Sequence, residues 1–472
     1  MFATSAGTEG SIVMGALSLS DIAIAIEANW ASAEASVTAV STDSRELATG
    51  SLFVALRGEH FDGHAFLGAA ANAGAVAAVV DTAGSEFIPQ LIVSDTLKAY
   101  GQVARLNRDR FVNAGGKIVA LTGSSGKTSC KEMLAAILKQ QFSVHATRGN
   151  FNNEIGVPRT LLEIEAHHDV AVIEMGAAKR GDIAYLCEFA QPDITLITNA
   201  GPAHLEGFGS LQGVAETKGE IYRALTGTGF AVINADDPFS ALWREYAGDA
   251  KVVNVSLDST DADVYASNLN VTASGTSFTL HCMGGCVEVT LPLLGRAMAR
   301  NALLAAAAAQ VAGASLEAIK AGLESLLPVA GRVYPMVQSW GTLIDDSYNA
   351  NPASVKAAID VLAEFPGRRL LVLGVMAELG PDSAVLHREV GEYASTKQID
   401  AVLCCGEQTR HTCEGAGAIG EYYNDKEALL GALLKKVTLG DTVLVKGSRS
   451  AGMDSIVDAV ANARVTGGKA PC

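Results

Sequence analysis

The stretch LTGSSGKTSCKEML, residues 121–134, packs glycines, hydroxyls and a lysine into one short loop, a combination suited to holding phosphate. In a loop of the Gly-x-x-x-x-Gly-Lys-Ser/Thr type, backbone N–H groups wrap the phosphates, the Lys reaches the terminal ones and the hydroxyl meets Mg²⁺. Gly126, Lys127 and Thr128 match the end of that pattern, but Leu121 stands where the first Gly belongs and Gly123 is the glycine available, so the loop is a shorter variant. Gly123, Ser124, Ser125, Gly126, Lys127, Thr128 and Ser129 are the expected phosphate contacts, and a nucleotide is the expected ligand. The plain alternative is a βα turn with a solvated Lys127.

Other groups of chemical interest fall at the ends of apolar runs. Glu174 closes AVIE, where a carboxylate meets the Mg²⁺ of Thr128 or simply caps a strand. NAGPAHLEGFGS places Asn199, His204 and Glu206 on a Gly-rich loop, and AETKGEIYRAL carries Lys218 on a helix. Mg²⁺ prefers oxygen, so composition alone leaves His204 a loop histidine and Lys218 a salt-bridging lysine. Asn150, Asn152 and Asn153 of GNFNNEIGVP offer amides to a peptide or sugar, or form turns.

These groups need a scaffold that presents strand ends at one edge. KIVALTG, DVAVIEMG, DITLITNAG and GFAVINADDP alternate with helical spacing, which implies a mainly parallel sheet covered on both faces. SFTLHC and VEVTLPL have period two and read as an antiparallel meander on the same domain. The expected architecture is α/β in three domains: residues 1–96, a small mixed α/β unit beginning with a helix capped by Ser20; 97–329, a central P-loop parallel-sheet domain resembling ATPases; and 330–472, a Rossmann-like unit. LLPVAGR, with Pro328 and Gly331, is the linker before the last.

Composition sets bounds. At 472 residues, 49% hydrophobic and 18% charged, the chain is too long for one core. A net charge of −16 argues against a nucleic-acid partner. The longest apolar run, NALLAAAAAQVAGA, is too short to span a bilayer, so no stable membrane insertion and a cytoplasmic location are expected. The eight Cys form no paired C-x-x-C modules and read as free thiols.

STDSR, LFVALRGEHFDGH, TGSSGKTS, GNFNNEIGVP, AHLEGFGS, KGEI, DDSYNANP, MAELG and VKGSRS together resemble the Mur ligases, from about residue 16 through nearly the whole chain. DDSYNANP is the most discriminating and points to the branch that adds a terminal dipeptide. The resemblance implies an ATP-dependent, ADP-forming amide ligase of peptidoglycan synthesis that joins D-alanyl-D-alanine to UDP-N-acetylmuramoyl-tripeptide through an acyl phosphate. It implies that Lys127 and its loop hold ATP, that Thr128 and Glu174 serve one Mg²⁺, and that His204 serves a second together with Lys218 modified by CO₂ to a carbamate. Asn301, Arg332, Asp346 and Asn349 join the ATP side. Ser44, Arg45, Asn150, Asn152, Asn153, Tyr348, Lys446 and Arg449 become substrate candidates, and a monomer is expected. The bland readings are a β-turn for Ser44 and Arg45 and a solvated loop for Lys446 and Arg449.

Two departures qualify the match. The family's Gly-Arg-His-Asn-x-x-Asn appears as GRAMARN, with Ala297 and Met298 in place of His-Asn, and Val375 stands where relatives carry Asp. Either the adenosine site tolerates these losses, each about 1 kcal/mol net, or ATP binds more weakly. The alternatives left open are a folylpolyglutamate-synthase-like ligase and a non-catalytic nucleotide-binding regulator.

Overall fold

Strands buried on both faces must read as near-continuous apolar runs, and the middle of the chain does so. In a computed structural model, which describes residues 12–30, 34–58, 60–85, 88–202 and 205–463, those runs become the parallel strands Lys117–Thr122, Val170–Glu174, Ile194–Ile197 and Phe230–Asn234. They lie inside a nine-stranded sheet. Val144–Ala146 forms the edge beside Val170–Glu174, and Lys251–Ser256 follows Phe230–Asn234. The sheet then continues through Val264–Thr272, Gly275–Cys282 and Gly285–Leu291, the antiparallel meander expected from the period-two pattern. Register decides what meets at the carboxyl edge. Leu121 pairs with Glu174 and Thr122 with Ile197, so the glycine loop, the Glu174 carboxylate and residues 198–201 emerge side by side.

Helices Lys127–Leu138 and Arg296–Ala312 pack against each other and one face of this sheet. The second helix buries eight alanines, and their small side chains let it approach closely without a cavity. One point of contact is Cys130 Sγ donating to the Asn301 carbonyl at 3.6 Å.

Two smaller sheets flank this one. The N-terminal sheet runs Ile12–Ser18, Ser36–Ser41, Ser51–Val54, Ala77–Val80, Gln90–Ile92 in spatial order, its first pair antiparallel and the others parallel. Its first helix, Leu19–Ala25, is capped by Ser18, whose hydroxyl accepts from Asp21 N at 3.0 Å. This corrects the expectation of Ser20: strand Ile12–Ser18 runs straight into the helix, so the cap falls two residues earlier. The C-terminal sheet has the order Tyr334–Gln338, Gly341–Asp346, Asp441–Lys446, Arg369–Gly374, Ala401–Cys405, Gly420–Tyr423, with only the first pair antiparallel. Seven cysteines among the described residues are free thiols, as expected, and no described helix is long and apolar enough to cross a membrane.

Candidate active site

The loop after strand Lys117–Thr122 has the backbone that phosphate binding needs. Gly126 sits at φ +78 and caps helix Lys127–Leu138, where unpaired N–H groups face outward. A Cβ there would come within 2.6 Å of the Asn301 amide, and one on Gly123 would strike Thr198 Oγ1. Asn199 clamps the loop from the next strand end: its Oδ1 accepts from Ser125 N at 3.1 Å and its Nδ2 donates to Ser125 O at 3.0 Å. Thr198 Oγ1 donates to the same carbonyl at 2.6 Å. Lys127 folds back on the loop, donating to Gly123 O at 2.7 Å, and burial pushes its pKa down. A lysine held so close to uncommitted N–H groups is positioned to move onto an incoming anion.

Beside the loop, Glu174 is buried. Its Oε1 accepts from Asn152 Nδ2 at 2.8 Å and lies 3.4 Å from Thr128 Oγ1. Its Oε2 is buried with no hydrogen-bond partner among the described residues. An orphaned buried carboxylate oxygen next to a threonine hydroxyl is costly unless a cation completes it. The pair therefore fits a hard divalent ion whose remaining ligands are phosphate oxygens and water. Among the described residues no three His, Cys, Asp or Glu side chains converge on one metal position. His204 lies outside the described residues.

Lys218 is buried on helix Leu211–Arg223 with its Nζ 5.8 Å from the centre of the Phe208 ring. Burial, reinforced by the charge of Lys127, holds its pKa well below the usual lysine range. It does not line the cavity, but it is near enough to Lys127 for the two charges to interact.

The C-terminal unit closes the other side. Arg332 donates to Thr128 Oγ1 at 3.2 Å across the boundary and stacks 4.1 Å from the Tyr348 ring centre. Lys446 pairs with the buried Asp346 at 2.6 Å and donates to Asn349 O at 2.8 Å, while burial raises the Asp346 pKa. Between the two units lies a cavity of about 450 Å³. Ser124 to Ser129, Asn150, Asn152, Glu174 and Asn301 line it from the central unit. Arg332, Asp346, Tyr348, Asn349 and Lys446 line it from the C-terminal unit.

Other predicted residues are placed elsewhere. Asn153 Oδ1 accepts from Gly156 N at 2.9 Å and fixes the turn into helix Gly156–Leu162. Ser44 and Arg45 sit on a short helical turn of the N-terminal unit, where the exposed Arg45 pairs with Asp43. Arg449 is exposed and 3.3 Å from Asp454. None of these lines the cavity. Conversely, the Asn199 and Thr198 clamp had only a weak sequence signal, the polar residues that end ITLITNAG. Arg300 and the Asn351 helix cap, both in the cavity wall, lie within GRAMARN and DDSYNANP but were not singled out, although Asn351 before Pro352 is a helix-start signal.

The family model described as Mur ligase middle domain matches residues 121–309, that of the glutamate ligase domain matches 331–449, and that of the Mur ligase family catalytic domain matches 36–112. The chain belongs to the Mur ligase family. It is 46% identical over 452 residues to UDP-N-acetylmuramoyl-tripeptide–D-alanyl-D-alanine ligase of Escherichia coli, covering 95% of this chain and 99% of that one. The Bacillus subtilis enzyme of the same name is 35% identical, with coverage of 89% and 92%. A crystal structure of MurF from Acinetobacter baumannii superposes with a TM-score of 0.89 at 33% identity, covering 96% of this chain and all of that one. MurF of Thermotoga maritima in complex with ADP gives 0.80 at 29%, with coverage of 89% and 96%. Folylpolyglutamate synthase of Mycobacterium tuberculosis shares the fold at 17% identity and a TM-score of 0.59.

Proposed function

We propose that this Mur ligase joins D-alanyl-D-alanine to UDP-N-acetylmuramoyl-tripeptide with cleavage of ATP to ADP and phosphate, in peptidoglycan precursor synthesis. The observation that carries the reading is the cavity between the glycine loop and the C-terminal unit, in a chain that matches dipeptide-adding ligases over nearly its full length. A carboxylate and an amine do not condense unaided in water. Transfer of the γ-phosphoryl to the tripeptide carboxylate forms an acyl phosphate and releases ADP; the dipeptide amine then attacks the acyl carbon, loses a proton and expels phosphate.

The chain's contribution is positioning and charge. The N–H groups of Gly126–Ser129, on a loop whose Ser124 and Ser125 N–H groups are held by Asn199, hold the phosphates. Lys127 leaves Gly123 O for the transferring group and neutralises it there. Thr128 and Glu174 hold one Mg²⁺, with Asn152 orienting the carboxylate; His204 and a carbamate on Lys218 serve a second. Bound there, these ions supply charge neutralisation at the phosphoryl oxygens. Burial favours the neutral Lys218 amine, the form that reacts with CO₂. Arg332, Asn301, Asp346 and Asn349 complete the ATP side. Tyr348, Asn150 and the braced Lys446 face the acceptor, and Ser44 and Arg45 the uridine diphosphate. In this reading Asn153 shapes the turn that presents Asn150 and Asn152, and Arg449 serves the substrate from outside the cavity lining. The units divide at 96/97 and 329/330, and the protein acts as a cytoplasmic monomer.

The test is product formation: with both substrates and ATP, the UDP-muramoyl pentapeptide should accumulate in step with ADP. ATP turnover that ignores the dipeptide would reject the ligase reading.

A further inference from the structure

The walls of the cavity are ordered in a way that bears on which nucleotide it accepts. On helix Arg296–Ala312, Asn301 touches the loop at Gly126. Ala297 and Met298 lie on the same face one turn earlier, about 5 Å along the helix axis. Before them Gly295 is packed so closely on Val361 that a Cβ would meet Val361 Cγ2 at 2.5 Å. The opposite wall is helix Pro352–Ala363. It begins beside Gly201, where Ala353 lies 3.7 Å from a Cβ built on that glycine, and runs past Val361, eight residues or about 12 Å further along. That is the span a nucleotide needs to carry its base beyond its phosphates.

At this far end the wall is apolar: Leu294, Ala297, Met298, Ala357, Ala358 and Val361. Several polar side-chain atoms near it are already engaged. Asn351 and Ser354 are reciprocally bonded in a capping box. Asn349 Oδ1 accepts from Ala350 N at 2.9 Å. Arg300 is ion-paired with Asp236 and Asp258 at 3.4 and 3.5 Å, while its buried Nε has no hydrogen-bond partner among the described residues.

We infer that this end of the cavity takes a purine by stacking and shape, with neither Ala297 nor Met298 reading its edge, so the enzyme accepts purine nucleoside triphosphates broadly. The inference rests on the ligase reading for the location of the phosphates. Adenine and guanine differ in the donors and acceptors at their edges, and discrimination between them requires protein groups placed to pair with one and be stranded by the other. Ala297 and Met298 offer neither. Both bases present similar apolar faces, so a pyrimidine, with a smaller face, binds less well.

Two measurements test this. In the ligation assay, kcat/KM for GTP and ITP should fall within about tenfold of that for ATP, with CTP and UTP lower, and Met298→Asn should raise the ATP:GTP ratio by about tenfold through a new edge contact. Ala297→His serves as a second variant if the first is unstable. Calorimetric titration of the unmodified chain with ADP and GDP, without other substrates, should give dissociation constants within the same factor. A preference for ATP and ADP beyond a hundredfold would overturn the inference, since backbone groups must then read the base. If no triphosphate supports ligation, the ligase reading fails, and the ADP-to-GDP ratio alone decides whether the cavity is base-tolerant.

Discussion

Asn152 holds one oxygen of Glu174 at 2.8 Å and the other is buried with no partner among the described residues, so the carboxylate is oriented before any ion arrives. Replacing Asn152 by Ala frees the carboxylate to rotate toward Thr128. Loss of an outer partner of this kind weakens metal binding about 10- to 100-fold. The Mg²⁺ concentration for half-maximal activity should rise by that factor, with activity recovering at high Mg²⁺. Unchanged Mg²⁺ dependence would mean that Asn152 has no orienting role.

Lys127→Ala removes the cation at the transferring phosphoryl group. The loss of turnover should reach about a thousandfold, the effect of removing a strong electrostatic contact, while the thermal unfolding profile stays cooperative. The Gly123 carbonyl that Lys127 now satisfies is part of a loop also held by Asn199 and Thr198, so the fold should survive. Near-normal turnover at saturating ATP would contradict the assigned role.

Lys218→Ala should lose activity and regain part of it when formate or acetate is added, because a small carboxylate can replace the carbamate oxygens. Absence of rescue, together with an unmodified lysine mass in the native chain, would count against carbamylation.

His145 supplies a pH prediction independent of the site. Burial, with the nearby charges of His168 and Arg148, pushes its pKa down to about 4, and its Nε2 has no hydrogen-bond partner among the described residues. Unfolding restores an ordinary value near 6.5. The unfolded chain then binds the proton more readily, so the stability from a neutral His145 is full above pH 6.5 and is lost as pH falls through 4. Between pH 7.5 and 5 the difference in unfolding free energy between native protein and His145→Gln should shrink by about 2 kcal/mol. Parallel curves over that range would show that His145 titrates normally.

Leu327 and Val329, in the segment that joins the nine-stranded sheet's unit to the C-terminal sheet's, are exposed, while the two sides touch through Arg332 and Thr128, Gly295 and Val361, and Gly201 and Ala353. Hinge rotation would remake these contacts, and closure would shield an acyl phosphate from water. Small-angle scattering should show a smaller radius of gyration with a non-hydrolysable nucleotide plus the UDP-substrate. An unchanged radius would mean that the units are preassembled.

The sequence pattern foretold the sheets wherever strands are long and apolar, as in KIVALT or TVLVK, because burial on both faces leaves an unbroken apolar run. Val144–Ala146 and Gly420–Tyr423 were not anticipated: each is short and carries polar groups, and only pairing with a neighbour makes it a strand. In the site, the glycine loop and Glu174 could be read from local spacing. The inward lean of Asn199 and the commitment of Lys446 to Asp346 could not, since both depend on register between strands distant in sequence. Ser18 in place of Ser20 shows how a strand running directly into a helix moves a cap by two residues.

The central claim is that ATP activates the tripeptide carboxylate, and oxygen labelling tests it most directly. With ¹⁸O in that carboxylate, ATP and the dipeptide, one labelled oxygen should leave in the phosphate for each amide formed, because the acyl phosphate breaks at the acyl carbon. Unlabelled phosphate, or phosphate released without amide formation, would contradict the account.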